Sequence, residues 1–285
     1  MRIVEKTITG IDGSTARLTG YVAESSSEMA DTARPAMLIL PGGGYAMTSD
    51  RESDPIALRF TAAGYQTFIL RYSCAPSRHP VALLQAAQAM RLIRAHADDW
   101  RVDPARVALL GFSAGGHLAA TLATASGEAA LREHGFTEPQ EVRPDALLLA
   151  YPVITTGPHA HRRSISTLLG PEHRHDAALL DMLSIERHID GRTPPVFVWH
   201  TMTDPTVPVE NTLMLIQACH EAGVRVEAHL FPEGGHGLSL ATRATARAGS
   251  PGAAGEPDPD NVVPAVQIWP DLALTFLAGT FADRP

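Results

Sequence analysis

The sequence predicts an α/β fold: a mostly parallel eight-stranded sheet with helices on both faces and an antiparallel hairpin at the N-terminus. Three observations carry this. Short apolar runs alternate with stretches of helical period along most of the chain, the pattern of strand–helix–strand units. Four of the runs are almost unbroken in their apolar character, which suits strands covered on both faces of a parallel sheet. The first residues differ: two segments flank Gly10-Ile11-Asp12-Gly13, a turn sequence that joins antiparallel neighbours.

The elements follow in order. Arg2 to Thr9 and Ala16 to Ala23 form the hairpin. Met37 to Leu40, Thr67 to Leu70, Val107 to Leu110, Ala146 to Ala150, Val196 to Trp199 and Arg225 to Leu230 are the six parallel strands. Asp54-Pro55 opens a helix, with Asp54 as N-cap and Pro55 at the first helical position, ending near Gly64. Pro80 to His96 places Leu83, Ala86, Ala87, Met90 and Ile93 on one helical face. His117 to Thr124 is Ala-rich and helical, Val209 to Glu221 is a helix stopped by Gly223, and Asp271 to Ala282 is the last.

Two segments break the rhythm. Residues 151–195 make a 45-residue connection that holds five of the 13 histidines, a lid-like insertion. Residues 241–264 form a flexible loop, because 249–264 contains seven Gly or Pro in 16 residues and has no periodicity. The whole of 1–285 reads as a single domain that includes both segments.

Composition narrows the function. The formal net charge is −8, with no basic patch for nucleic acid or an anionic membrane; Lys6 is the single lysine. No run of about 18 apolar residues occurs, and the N-terminus has no signal-peptide core, so a soluble cytoplasmic protein is expected. Cys74 and Cys219 lie far apart, outside any metal-ligand spacing. His159-Ala160-His161 and His173-Arg174-His175 have no acidic or cysteine partners in sequence, so no metal and no cofactor is expected; they read as a polar lid surface or pocket rim.

The chemistry concentrates in three places. Gly111-Phe112-Ser113-Ala114-Gly115-Gly116-His117 fits G-x-S-x-G between a strand and a helix, the turn that lifts a serine hydroxyl to the open end of a sheet. A serine needs a base, and the base an orienting acid. His236, in Gly234-Gly235-His236-Gly237, and Asp204, in Thr203-Asp204-Pro205, both follow strand ends, 32 residues apart, with Asp204 91 residues after Ser113. His200 competes as base but precedes the acid. Asp190 competes as acid but lies before its strand, at the wrong end. Pro41-Gly42-Gly43-Gly44-Tyr45 follows the strand Met37 to Leu40, and its glycines let backbone N–H groups converge on an oxyanion. Gly43 and Gly44, with Ala114 at the elbow, are the candidate donors. Tyr45, His117 and Tyr151 are candidate substrate-binding walls.

Taken together, "PGGGY" (41–45), "LRYS" (70–73), "GFSAGGHLAA" (111–120), "WHTMTDPTVPVEN" (199–211) and "EGGHGLSL" (233–240) resemble the α/β-hydrolase superfamily. Within it they are most similar to small bacterial acetyl-xylan-esterase-like and feruloyl-esterase-like carbohydrate esterases. The resemblance implies an α/β-hydrolase fold, with Ser113, Asp204 and His236 as a triad. It implies a serine carboxylesterase that cleaves short-chain acyl esters, acetyl groups on a sugar or xylooligosaccharide. One departure is Pro41, where hormone-sensitive-lipase-like relatives carry His. A formamidase or general short-chain esterase on the same fold, and a non-catalytic hydrolase-fold binding protein, are the rival readings. The expected partner is a small-molecule ester; oligomeric state is not readable.

Overall fold

The computed structural model describes residues 1–28, 33–248 and 258–282. Eight strands form one continuous sheet: β1 (Arg2–Thr9), β2 (Thr15–Val22), β3 (Arg34–Leu40), β4 (Gln66–Arg71), β5 (Val102–Phe112), β6 (Ala146–Ala150), β7 (Val196–Thr201) and β8 (Val226–Phe231). Their spatial order is β1-β2-β4-β3-β5-β6-β7-β8. β1 and β2 are antiparallel to each other and β2 to β4, while β3 to β8 run parallel. The expected hairpin and six parallel strands are all present, with ends moved by at most five residues.

Successive side chains of a strand point to opposite faces, and the core divides accordingly. Leu38, Val107, Leu109, Leu147, Leu149, Val196 and Val198 enter one apolar layer. Their neighbours Met37, Ile39, Ala108, Leu110, Leu148, Phe197 and Trp199 enter the other. The first layer is covered by helices Val81–Ala95, Ser113–Ala123 and Glu210–Glu221, the second by Asp54–Ala62 and Trp269–Ala282. This two-sided burial is why the central strands read as continuous apolar runs. β8 stands at the sheet edge and its residues are only partly covered, hence its more polar sequence.

Three expectations are corrected. Asp54 is not the N-cap of its helix: Ser53 holds that position, and the Asp54 carboxylate accepts from Tyr21 Oη and pairs with Arg71. The elbow helix begins at Ser113 rather than His117. Gly115 and Gly116 are poor helix formers, but tertiary packing overrides that propensity. β5 extends back to Val102 through an irregularity that separates the pairs Arg34–Val102 and Ala36–Val107.

The 151–195 insertion contains helices Arg162–His173 and Ala177–Met182. Ile165, Leu168, Leu169, Leu183 and Ile185 join the first core layer. Asn211 pins its root: Oδ1 accepts from the N–H groups of Ile154 (2.9 Å) and Thr155 (3.1 Å), and Nδ2 donates to His159 O. Of the expected loop 241–264, residues 249–257 lie outside the described residues. Its described flanks form short turns at Arg243–Thr245 and Pro259–Asn261, joined where Asn261 Oδ1 accepts from the Arg247 N–H and from Arg51. Among the described residues no single helix is long and apolar enough to cross a membrane.

Candidate active site

β5 delivers Ser113 at a tight elbow. Its φ is +51°, in the left-handed region that side-chain-bearing residues avoid. The glycines on either side make that turn sterically allowed. A Cβ on Gly115 would lie 2.2 Å from Leu40 O and 2.5 Å from Pro41 O, and one on Gly111 would lie 2.4 Å from Gly115 O. The helix thus crosses the end of β3 at backbone contact, which leaves the hydroxyl at the rim of the sheet.

The structure brings Ser113, His236 and Asp204 together from β5, β8 and β7. Ser113 Oγ lies 2.8 Å from His236 Nε2, and His236 Nδ1 lies 2.7 Å from Asp204 Oδ2. A carboxylate only accepts, so Nδ1 carries the proton and Nε2 is left as acceptor for the serine hydroxyl. Ser113 is 6% exposed, so water reaches the hydroxyl only narrowly.

Asp204 is held by four donors. Oδ1 accepts from the N–H groups of Thr206 (2.8 Å) and Val207 (3.0 Å), while Oδ2 accepts from His236 Nδ1 and from His200 Nε2 (3.2 Å). Burial raises its pKa, but the hydrogen bonds from His200 and His236 outweigh it and hold the carboxyl well below the usual carboxylate range. His200, the rejected base, is fully buried; its Nδ1 accepts from Thr212 Oγ1 and its Nε2 also donates to Val207 O. It orients the acid from behind and does not face the serine. Asp190 pairs with Arg192 on the surface.

The glycine loop turns beside the serine. Gly43 (φ +133°), Gly44 (φ +64°) and Tyr45 (φ +58°) all have positive φ. The Gly42 N–H donates to Glu52 Oε2 at 2.7 Å. The N–H groups of Gly43, Gly44 and Ala114 meet no acceptor among the described residues.

The three residues expected as substrate walls are buried. Tyr45 Oη donates to His117 Nδ1 at 2.8 Å, and His117 Nε2 donates to Leu183 O at 3.0 Å; both side chains are buried. Tyr151 is 1% exposed, with its ring edge on the His236 imidazole at 5.1 Å between centroids. All three have their polar atoms already engaged.

The BD-FAE family model matches residues 25–218, more than half of the chain. The chain belongs to the BD-FAE family. It is 32% identical to the carboxylesterase Cest-2923 of Lactobacillus plantarum WCFS1, with a TM-score of 0.83 over 98% of each chain. It is 34% identical to the acetyl ester-xyloside bifunctional hydrolase of Caldicellulosiruptor lactoaceticus, with a TM-score of 0.76 over 93% of this chain and 88% of that one. It is also 30% identical to an acetylxylan esterase of Xylanibacter ruminicola over 73% of this chain and 42% of the relative. The chain spans between 33% and 53% of the length of the curated relatives it matches. Its fold is the α/β-hydrolase fold.

Two side chains of this BD-FAE member escaped the sequence reading. Glu52 is a buried carboxylate under the glycine loop. The charged run Asp50-Arg51-Glu52 just before a helix was its only signal, and that pattern usually marks a solvated helix start. His161, grouped with the lid histidines, hydrogen-bonds Ser164 Oγ through Nδ1 at 2.7 Å. Ser164 Oγ in turn lies 3.6 Å from where a Gly44 Cβ would stand, so the insertion abuts the glycine loop. Burial, then the charge of His236, lowers the His161 pKa.

Proposed function

We propose that this chain is a serine carboxylesterase that removes short acyl groups, acetyl groups on a sugar or xylooligosaccharide, by two-step acyl transfer. The hydrogen-bonded chain Ser113–His236–Asp204 carries the proposal. Ser113 Oγ attacks the ester carbonyl as His236 Nε2 takes its proton. Asp204 holds the tautomer that makes this transfer available and stabilises the imidazolium that forms. The N–H groups of Gly43, Gly44 and Ala114 receive the oxyanion. His236 then returns the proton to the leaving alcohol oxygen, and an activated water repeats the sequence on the acyl-enzyme. Every step uses side chains and backbone amides of this chain.

The acetyl and sugar assignments draw on the acetylxylan esterase and acetyl ester-xyloside hydrolase relatives. The low exposure of Ser113 supports a small acyl group. The test compares the parent and Ser113→Ala on 4-nitrophenyl acetate, acetylated xylooligosaccharides and an N-formyl aromatic amine. The parent is expected to prefer the acetyl esters, and the variant to lose about 10³-fold or more in kcat while keeping its fold. Turnover surviving in Ser113→Ala overturns the nucleophile. Faster cleavage of the formyl amide by the parent overturns the ester assignment in favour of an amide hydrolase.

A further inference from the structure

We propose that Glu52 is a positioning residue that locks the glycine loop and the histidine loop in one register around Ser113. The proposal rests on the esterase reading above. Glu52 is 3% exposed, and both its oxygens are engaged. Oε2 accepts from the Gly42 N–H at 2.7 Å, and Oε1 accepts from Tyr151 Oη at 2.7 Å. Tyr151 Oη accepts in turn from the Ser239 N–H at 3.0 Å, three residues after His236. One carboxylate thereby joins the segments that follow β3, β6 and β8.

The position of Gly42 gives this tie its leverage. A Cβ there would lie 2.9 Å from Glu52 Oε2 and 3.0 Å from Ser113 Cβ. Gly42 is wedged between the carboxylate and the serine, so movement of Glu52 moves the loop relative to the nucleophile. Because Glu52 takes the Gly42 amide, that N–H turns away from the reacting carbonyl, and the next two amides of the loop remain to face it. On the other side, Arg51 reinforces the same junction. Its Nη2 donates to Gly237 O at 2.7 Å, and its backbone carbonyl accepts from Ser239 Oγ.

The chemistry of the partners explains why a carboxylate stands here. Gly42 and Tyr151 both donate, so the residue between them has to accept at both ends. Glutamine has nearly the same volume but accepts at one end only. A buried carboxylate is costly to desolvate and is a weak device for stability alone. Its value lies in fixing two loops at once, since misplacing reacting groups by about 1 Å costs about 10²-fold in rate.

The test uses Glu52→Gln, Glu52→Ala and Tyr151→Phe in the full chain. Steady-state kcat and KM are measured on 4-nitrophenyl acetate, and competent sites are counted by titration with a reactive phosphonate. Affinity for phenylboronic acid, which forms a tetrahedral adduct on an activated serine, reports the oxyanion site. Glu52→Gln is expected to lose about 30-fold in kcat per titrated site with KM within about 3-fold, and boronate affinity should fall in step with kcat/KM. Tyr151→Phe keeps the Gly42 tie and should lose less, about 5-fold. If Glu52→Ala does not fold, the near-isosteric Gln variant carries the test. A per-site kcat of Glu52→Gln within about 2-fold of the parent overturns the proposal, as does a loss confined to the number of titratable sites. Failure of the esterase reading itself looks different: the parent would then react with neither the acetyl ester nor the phosphonate.

Discussion

At the scale of the residue, buried histidines make the molecule sensitive to acid. Burial pushes the His117 pKa down to about 4, and the same cause, with the charge of His117 itself, takes His79 to about 4. Both are neutral in the folded state at a pH where the unfolded chain, with histidine near 6.5, is protonated. The unfolded state therefore binds more protons between about pH 4 and 6.5, and stability falls as pH drops through that window. The full shift at His117 corresponds to about 3 kcal/mol. Melting temperatures from pH 7.5 down to 4.5 should decline in the parent, and His117→Asn should flatten the slope. Asp204 acts in the same sense but lower down: its depressed carboxyl contributes stability that is full above the ordinary carboxylate pKa and is lost as pH falls below it.

The sequence made the reacting residues legible for a reason that does not extend to their supports. Ser113, Asp204 and His236 each follow a strand end and sit among glycines or before proline, where the backbone has to turn sharply. His200 lies on β7 itself, and Glu52 in an ordinary helix approach, so neither departs from local expectation. Tyr45, His117 and Tyr151 are buried with their polar atoms hydrogen-bonded, which their positions along the chain did not show. Sequence period shows which element carries a side chain; it does not show which atoms meet its polar end.

At the scale of the element, the elbow is the least forgiving part of the fold. The Ser113–Ala123 helix touches the end of β3 through Gly115, where any Cβ meets two carbonyl oxygens. Neither oxygen belongs to a side chain that could turn away. Gly115→Ala should therefore push the helix off the sheet, costing about 3 kcal/mol or more and removing hydrolysis. Chemical denaturation and the acetyl-ester assay measure the two effects. The adjoining strands were readable because each sends alternate residues into two apolar layers. The short helices Ala97–Trp100, Glu128–Glu133 and Pro139–Val142 were missed because four to six residues are too few to show a helical period.

At the scale of the whole molecule, one sheet carries all three members of the proposed triad. The serine, acid and histidine arise after β5, β7 and β8, and the insertion leaves the sheet after β6, between the serine strand and the acid strand. Sequence reading recovered this layout because chain order and strand count fix it together. It could not recover the internal structure of the insertion, whose helices take their burial from distant elements. The positive φ at Ser113 has a consequence for the molecule as a whole. Glycine accepts that backbone geometry freely, whereas any other residue is penalised by about 1 kcal/mol. Ser113→Gly should thus yield an inert protein that outlasts its parent on heating, while Ser113→Ala, equally inert, should not. Parallel melting curves of the three chains read the difference, and a Gly variant melting below the parent would contradict it. On that expectation Ser113 is a position where the protein gives up some resistance to heat for the proposed reactivity.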